Sequence, residues 1–254
     1  MKISVVTASY NAAATLSDTL KSVARQSHGD VEHLLIDGGS KDATSRIVEQ
    51  HGQHLSHFVS EKDGGIYDAM NKGIRLATGD VLGFLNADDL LADDEVLSRI
   101  ARCMEDPEVD AVYGDLVFVS QHDTSRVVRY WRPGKHRAGL CASGWMAPHP
   151  TFYVRRKLLL ENAGFCLDYR LQADFELMLR LFEVVKIRSA YLPSTLVRMR
   201  MGGATTGSLR NIIRGNLEAA HACRRHGYPG GIGFMLAKMT RRIPQFFSRP
   251  SQAS

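Results

Sequence analysis

The first third of the chain alternates between short apolar runs and segments whose apolar residues recur with helical spacing. The short runs predict buried strands, and the periodic segments predict helices. The predicted strands cover residues 3–8, 31–36, 55–60 and 81–85, and the predicted helices cover 15–26, a segment opening near 42, and 66–77. The alternation predicts an α/β fold with a mostly parallel, doubly wound central sheet and helices on both faces.

The pattern changes after residue 90. A predicted helix over 93–105 and a predicted strand over 111–119 precede a loop-rich span that includes residues 133–134 and 144–150. Loops this long in a compact domain are usually functional. Residues 158–163 and 174–184 have helical periodicity, residues 191–199 have an extended pattern, and glycines at 202 and 203 interrupt the chain.

Polar side chains follow each predicted strand of the first third. They are Thr7 to Asn11 after the first strand, Asp37 after the second, Asp63 after the third, and Asp88 with Asp89 after the fourth. The carboxyl ends of parallel strands share one edge of a sheet, where ligands bind. Adjacent carboxylates at such an edge suit a divalent cation held against a diphosphate. The alternative is that each polar residue only caps the next helix.

Composition bounds the class of protein. The chain has 254 residues, of which 44% are hydrophobic, enough for one large domain or one domain with a tail. Its 4 cysteines include no C-x-x-C pair, which argues for a reducing compartment and against a zinc site. The N-terminal apolar run is too short for a signal peptide, and no run approaches the roughly 20 residues of a spanning helix. We expect a cytosolic protein without a spanning helix.

Charge is distributed unevenly. Residues 198–254 hold 10 Lys and Arg against 1 acid, giving +9, whereas residues 1–197 hold 22 basic and 26 acidic residues, giving −4. This layout is not typical of a nucleic-acid-binding protein, and we expect no nucleic-acid partner. It fits an anionic surface met at one end, such as phospholipid or a lipid-linked phosphate. A solvated basic tail is the alternative.

Several segments resemble, in order, the motifs of family-2 glycosyltransferases, which are inverting enzymes of the GT-A fold that use nucleotide-diphosphate sugars. The segments are residues 7–11, 36–42, 71–74, 86–89, 149–152 and 173–181. The resemblance runs from about residue 2 to about residue 205. Residues 63–71 and 201–203 are similar to those of bacterial O-antigen and capsule transferases.

The resemblance implies a GT-A domain over residues 1–205, with a nucleotide-binding half (1–90) and an acceptor half (91–205), followed by a basic amphipathic helical tail (206–254). It implies hexosyl transfer from a nucleotide-diphosphate sugar, expected to be a UDP-sugar, with Mg²⁺ or Mn²⁺ as cofactor. The expected acceptor is a hydroxyl of a lipid-linked saccharide in envelope polysaccharide synthesis, at the inner face of the bacterial cytoplasmic membrane.

The resemblance also assigns site residues. Asp37 would bond the base, Asp88 would approach the ribose or phosphate, and Asp89, at a solvent-facing strand end, would bind the metal. The full set of expected donor-binding residues is Thr7, Ala8, Tyr10, Asn11, Asp37, Asp63, Asn71, Asn86 and Asp88. The family often has paired aspartates after the second strand, where this chain has only Asp37, and its D-x-D motif begins here with Asn86.

Asp174 matches the position of the family's catalytic base. An acceptor hydroxyl needs a base as it attacks C1 of the sugar, and such help is worth about 10²–10⁴ in rate. The alternative is that Asp174 caps a helix while Glu176 and Arg180 form an ordinary surface pair.

Three further features are less specific. His149 and the neighbouring Trp145 would contact acceptor or diphosphate. The alternative for His149 is a structural histidine. Arg198 and Arg200 would fold over the diphosphate as a mobile clamp, because arginine forks suit phosphate, or be ordinary surface residues.

The third feature is an apolar stripe near the C-terminus that would form a membrane-surface helix or pack on the domain. The stripe comprises Ile232, Leu236, Met239 and Ile243, with Phe246 and Phe247 beyond it and Lys238, Arg241 and Arg242 between. On the membrane interpretation, deleting the chain after Gly230 leaves a folded, donor-binding domain.

Two other functions compete. A sugar nucleotidyltransferase also uses a nucleotide-binding sheet and a metal, but it normally carries a glycine-rich loop after the first strand, where residues 9–14 contain no glycine. A non-catalytic nucleotide-sugar-binding scaffold would have no chemical need for both Asp89 and Asp174.

Overall fold

The computed structural model describes residues 1–202, 209–241 and 245. The strands are β1 (Ile3–Ser9), β2 (Val31–Asp37), β3 (His57–Ser60), β4 (Val81–Phe84), β5 (Leu90–Leu91), β6 (Ala111–Val119), β7 (Val127–Trp131), β8 (Tyr153–Arg155) and β9 (Ser189–Arg200). The helices are α1 (Leu16–Ala24), α2 (Thr44–His51), α3 (Ile66–Leu76), α4 (Val96–Met104), α5 (Arg156–Glu161), α6 (Ala173–Leu179), α7 (Leu209–Arg225) and α8 (Ile232–Thr240).

One mixed sheet contains the nine strands of the described part of the chain. Its order is β3-β2-β1-β4-β8-β6-β9-β5, with β7 beside β6. Strands β1 to β4 are parallel, as predicted, so their carboxyl ends share one edge. The second half departs from this pattern because β8 runs antiparallel to both β4 and β6, and β5 runs antiparallel to β9. The α/β fold is confirmed, and the parallel arrangement belongs mainly to the first half.

Helix α3 lies unusually close to the sheet. Gly73 makes this approach possible, because a Cβ at this position would lie 2.3 Å from Cγ1 of Val6 on β1. The helix begins after Gly65, whose φ of 117° favours glycine. The polar segment between β3 and α3 lies against the end of β2, where the N–H of Glu61 donates to the carbonyl of Asp37 at 3.0 Å and Gly38 adjoins Asp63.

The long loop of the second half is tethered to the core. Glu183 accepts hydrogen bonds from the backbone N–H groups of Gly139 (2.7 Å) and Cys141 (3.0 Å), and its Oε1 lies 3.2 Å from Nε2 of His136. Ligand atoms of His136, Cys141 and Glu183 lie within 4.8 Å of one another. Both oxygens of Glu183 already accept hydrogen bonds, so we interpret the cluster as an anchor of the loop.

The C-terminal helices pack on the sheet domain. Helix α7 contributes Ala219, Ala220 and Cys223 to the main hydrophobic core, and α8 contributes Phe234. The predicted boundary between residues 205 and 206 lies outside the described residues. Within the described residues, no helix is long and apolar enough to cross a membrane.

Candidate active site at the strand ends

Asp37 ties the ends of three strands together. It is fully buried and accepts hydrogen bonds from Ser9 Oγ (2.9 Å), Ser40 N (2.8 Å), Gly39 N (3.2 Å) and Ser60 Oγ (2.7 Å). Burial alone raises the pKa of Asp37, but these donors outweigh it and lower the pKa. The expectation that Asp37 reads the base does not fit, because its acceptor positions are already occupied within the protein.

The end of β1 divides into buried and exposed residues. Thr7 is fully buried, and its Oγ1 lies 3.0 Å from Nε2 of His33, while Ala8 is 6% exposed. The side chains of Thr7 and Ala8 are therefore not accessible to a donor, contrary to their expected role as donor-binding residues. Tyr10 is 64% exposed, and Asn11 has a left-handed φ of 49° and accepts a hydrogen bond from Lys41 N at 2.9 Å. Tyr10 and Asn11 are thus the accessible members of this segment.

Asp63, just before α3, and Asn71, within α3, lie in different environments. Asp63 is partly exposed, accepts a hydrogen bond from Gly65 N (2.8 Å) and lies against Gly38. Asn71 is 9% exposed and exchanges two hydrogen bonds with the backbone of Phe165, at 2.9 and 2.8 Å. Asp63 is accessible from solvent, whereas Asn71 clamps the backbone of Phe165 and is not accessible to a donor.

The two adjacent aspartates after β4 differ sharply in exposure. Asp88 is partly exposed, but Asp89 is fully buried and accepts hydrogen bonds from Asn86 Nδ2 (3.0 Å) and Arg200 N (3.3 Å). The expected solvent-facing position of Asp89 is therefore wrong. Burial raises the pKa of both carboxyls, and the charge of Asp88 raises that of Asp89 further. Mutual repulsion of this kind is relieved by a divalent cation, which this pair therefore fits.

Arg200 is fixed in place below this turn. Its guanidinium is 7% exposed, forms an ion pair with Asp18 (2.5 Å) and donates to the carbonyl of Asp88 (2.7 Å). Arg198 is partly exposed and donates to the carbonyl of Ala92 at 3.4 Å. Neither arginine fits the expected mobile clamp, and Arg200 instead supports the backbone that presents Asp88.

Asp174 lies in the first turn of α6. Its carboxylate is partly exposed and accepts hydrogen bonds from Tyr67 Oη (3.2 Å) and Phe175 N (2.8 Å). Gln172, not Asp174, occupies the capping position, so the helix-cap alternative does not fit. Glu176 does pair with Arg180, but it is 2% exposed, so the alternative of a surface pair does not fit either.

His149 and Trp145 are both buried. His149 is 8% exposed, lies between the rings of Phe84 (5.4 Å) and Phe165 (5.6 Å), and has no hydrogen-bond partner for either ring nitrogen among the described residues. Burial lowers the pKa of His149, with the charge of Asp174 opposing, so the ring is neutral at pH 7. Trp145 is 5% exposed and donates to the carbonyl of Pro133, so its predicted contact with acceptor does not fit.

Sequence reasoning missed two residues that join the halves of the site. Phe165 contacts Phe84 at the end of β4 (5.0 Å between ring centroids) and Tyr67 on α3 (5.3 Å). Tyr67 in turn bonds Asp174. Tyr67 lies within residues 63–71, the segment that resembles O-antigen and capsule transferases, so the sequence could have indicated its hydroxyl as a site group. No local sequence pattern indicates Phe165.

The structure thus joins a parallel β-α half that ends in paired aspartates to a mixed half that presents a further carboxylate. The sequence profile described as "Glycosyl transferase family 2" matches residues 4–172. The chain therefore belongs to glycosyltransferase family 2.

Proteins similar in sequence to this chain are also named as glycosyltransferases. A PGL/p-HBAD biosynthesis glycosyltransferase of Mycobacterium tuberculosis is 33% identical over 200 residues, which cover 74% of this chain and 73% of the relative. Another M. tuberculosis glycosyltransferase is 33% identical over 184 residues, covering 70% of this chain and 68% of its own.

Solved structures share the fold. Staphylococcus aureus TarS residues 1–349 in complex with UDP-GlcNAc superpose with a TM-score of 0.65 at 16% identity, covering 96% of this chain and 73% of that chain. The Pyrobaculum calidifontis mannosyltransferase PcManGT, in complex with GDP-Man and Mn²⁺, gives 0.67 at 19% identity, covering 94% and 69%. The chain spans 44% of a longer TarS chain.

Proposed function

We propose that this glycosyltransferase transfers a hexosyl group, with inversion, from a nucleotide-diphosphate sugar to a saccharide hydroxyl. The observation that carries the proposal is the aromatic bridge from Phe84 through Phe165 to Tyr67, which joins the aspartate turn after β4 to Asp174. A donor bound at the strand ends would thus have a carboxylate base nearby.

The donor side uses the partly and fully exposed polar residues of the first half. We assign the base and ribose to Tyr10, Asn11 and Asp63, together with the backbone of residues 7–8, and the ribose or phosphate to Asn86. Neighbouring structures contain UDP-GlcNAc and GDP-Man, and a UDP-sugar is the donor that we propose.

A divalent cation is the proposed cofactor, either Mg²⁺ or Mn²⁺. Asp88 would be its principal ligand because this carboxylate is accessible, and the buried carboxylate of Asp89 would add negative charge beside it. When bound, the cation supplies Lewis-acid neutralisation of the diphosphate leaving group. The PcManGT complex contains Mn²⁺, which supports this type of site.

Asp174 is the proposed general base. Tyr67 donates to Oδ1 of Asp174, which orients the carboxylate and leaves Oδ2 to take the proton of the acceptor hydroxyl. The deprotonated oxygen then attacks C1 from the face opposite the diphosphate, which gives inversion. The neutral His149 ring and the two phenylalanines around it exclude water from this side of the site.

The acceptor that we propose is a lipid-linked saccharide of envelope polysaccharide synthesis, of the O-antigen or capsule kind, met at the inner face of a bacterial cytoplasmic membrane. Helix α8 supports this, because it exposes Ile232 (77%), Leu236 (58%) and Met239 (58%). The same helix buries Phe234 and Lys238, so one face of α8 packs on the domain while the described apolar residues of the stripe face outward. Ile243, Phe246, Phe247 and Arg242 lie outside the described residues.

The packing of α8 changes two expectations of the membrane interpretation: the role of Lys238 and the effect of deleting the chain after Gly230. Lys238 is 5% exposed and cannot meet a lipid headgroup as it stands. Deleting the chain after Gly230 would uncover the core around Phe175, which contacts Phe234 with 5.8 Å between ring centroids. We therefore expect that truncation to be destabilised, not soluble and intact.

Transfer of radiolabelled sugar from a panel of UDP- and GDP-sugars to a lipid-linked saccharide tests the proposal. We expect transfer that requires Mg²⁺ or Mn²⁺, with the product anomer opposite to that of the donor. Donor binding without transfer to any acceptor would favour the scaffold. Formation of a nucleotide sugar from a nucleoside triphosphate and a sugar phosphate would identify a nucleotidyltransferase instead.

A further inference from the structure

The helix that carries Asp174 is fixed at its start by α7. Glu218 accepts hydrogen bonds from the backbone N–H groups of Leu171 (2.8 Å) and Gln172 (3.2 Å), directly before α6. Arg214, one turn earlier on α7, holds Glu218 by an ion pair of 2.9 Å. A carboxylate that accepts the N–H groups leading into a helix fixes where and in which direction the helix begins.

Helix α8 holds the same point from another side. Lys238 donates to Oε1 of Gln172 at 2.5 Å, and its ammonium lies 5.0 Å from the centroid of the Phe175 ring. Lys238 is 5% exposed and Gln172 is 7% exposed. Because burying an ammonium is costly unless it is well partnered, this contact is specific and not an incidental surface contact.

The end of α7 fixes the first turn of α6 as well. His226 lies 2.8 Å from Oε1 of Glu176, which also pairs with Arg180 at 2.9 Å. Burial raises the pKa of Glu176, but Arg180 and His226 outweigh this effect and lower it. Glu176 is therefore ionised at neutral pH. Its carboxylate is held by His226, just after α7, and by Arg180, just after α6.

Asp174 lies between these anchors. Its own side chain is held by Tyr67 at 3.2 Å, so the segment from Leu171 to Glu176 is fixed by α3, α7 and α8 together. We infer that Glu218 and Lys238 are positioning residues, which place the Asp174 carboxylate relative to the donor side. The C-terminal helices then belong to the catalytic unit. This inference rests on the proposed role of Asp174 as base.

Displacing a catalytic group by about 1 Å can cost about 10² in rate, so loss of an anchor should act on turnover. In the full-length chain, we expect Glu218→Ala to lower kcat by at least about tenfold, while the donor KM changes by less than about twofold. Glu218→Gln should recover most of the loss, because its amide oxygen can still accept a backbone N–H. Lys238→Met, which keeps the stem over Phe175, should lower kcat in the same way.

The readout is kcat per folded molecule, with the folded fraction taken from near-UV circular dichroism well below Tm. Asp168→Asn is the matched control, because it removes an exposed 2.8 Å ion pair to Arg225 on the same helix without touching α6, and kcat should not change. If Glu218→Ala and Lys238→Met lower Tm but leave kcat per folded molecule unchanged, the positioning role is wrong. The same holds if Glu218→Gln is no better than Glu218→Ala.

Asp174→Asn, measured alongside, separates the two proposals. An inactive Asp174→Asn with an unchanged Glu218→Ala overturns the positioning role alone. A fully active Asp174→Asn overturns the base, and with it the reason for positioning.

Discussion

The first half of the sheet domain (residues 1–90) and the second half fix the side chains of the proposed site by different means. In the first half, the ends of adjacent parallel strands bond one another, as when Asp37 accepts hydrogen bonds from Ser9 and Ser60. In the second half, Asp174 bonds Tyr67, and the residues directly before its helix bond Glu218 and Lys238, all of them distant in the chain. The first arrangement follows from sheet topology, whereas the second exists only after the whole chain has folded. We therefore expect variants of the first half to alter donor and metal binding, and those of the second to alter turnover.

Replacing Asp174, the proposed base, gives the largest expected effect and the strongest test of this contrast. Asp174→Asn should lower kcat by about 10²–10⁴ with little change in donor affinity, because the amide keeps its size but cannot take a proton. Steady-state kinetics together with calorimetric titration of the donor nucleotide measure both quantities. A kcat within about threefold of wild type would make Asp174 structural.

Replacing Asp88 or Asp89 gives the next largest effect. Both lie in the first half, so we expect changes in metal activation and stability. Asp88→Asn should weaken activation by Mn²⁺ and lower kcat/KM by about 10² or more, with Tm nearly unchanged, because the side chain is partly exposed. Asp89→Ala should lower stability by about 1–3 kcal/mol, because it leaves Asn86 and the backbone N–H of Arg200 without their buried partner.

Metal titration of activity, and denaturant unfolding of both aspartate variants, separate these effects. Wild-type activity in EDTA would remove the metal from the mechanism, and equal stability losses in the two variants would contradict the assigned difference in burial.

The pH dependence of the free energy of unfolding tests the first half separately. Glu32 on β2 bonds Ser4 on β1 and Thr78 before β4, and so links these strands. Burial raises the pKa of Glu32, but hydrogen bonds from Ser4, Thr78 and Lys2 outweigh it and lower the pKa from 4.5 to about 2. A lowered pKa contributes stability above pH 4.5 that is lost as pH falls towards 2. At pH 7 the contribution is roughly 3 kcal/mol, from about 1.4 kcal/mol per pKa unit.

Glu32→Gln should therefore destabilise the protein at pH 7, and its difference from wild type should shrink steadily below pH 4.5. Urea unfolding across this range measures the difference. A constant difference would show that Glu32 acts through packing and not through its charge.

The smallest expected effect concerns the exposed face of α8. A triple variant with Ile232→Gln, Leu236→Gln and Met239→Gln should bind anionic vesicles at least about tenfold more weakly, because three apolar side chains no longer enter the interface. Its Tm should stay within a few degrees, since these residues are exposed. Leu167→Gln, which changes an exposed leucine elsewhere, is the control. Unchanged flotation of the triple variant with vesicles would contradict membrane contact through α8.

The sequence by itself determined the α/β class, the parallel first half and the position of Asp88 and Asp89 at a strand end. Periodicity and strand-end polarity are local, and parallel strands necessarily bring their ends to one edge. The motifs also marked Asp174, because its segment resembles the base segment of the family.

Only the tertiary structure decided which of these side chains are accessible. Asp37, Asn71 and Asp89 look like Asp63 and Asp88 in the sequence, yet they are buried and hydrogen-bonded within the protein. Exposure depends on neighbours that are distant in the chain, and local patterns do not record them. The contacts of Glu218 and Lys238 with the start of α6 could not be predicted for the same reason. The charge of the C-terminal segment suggested a separate basic tail.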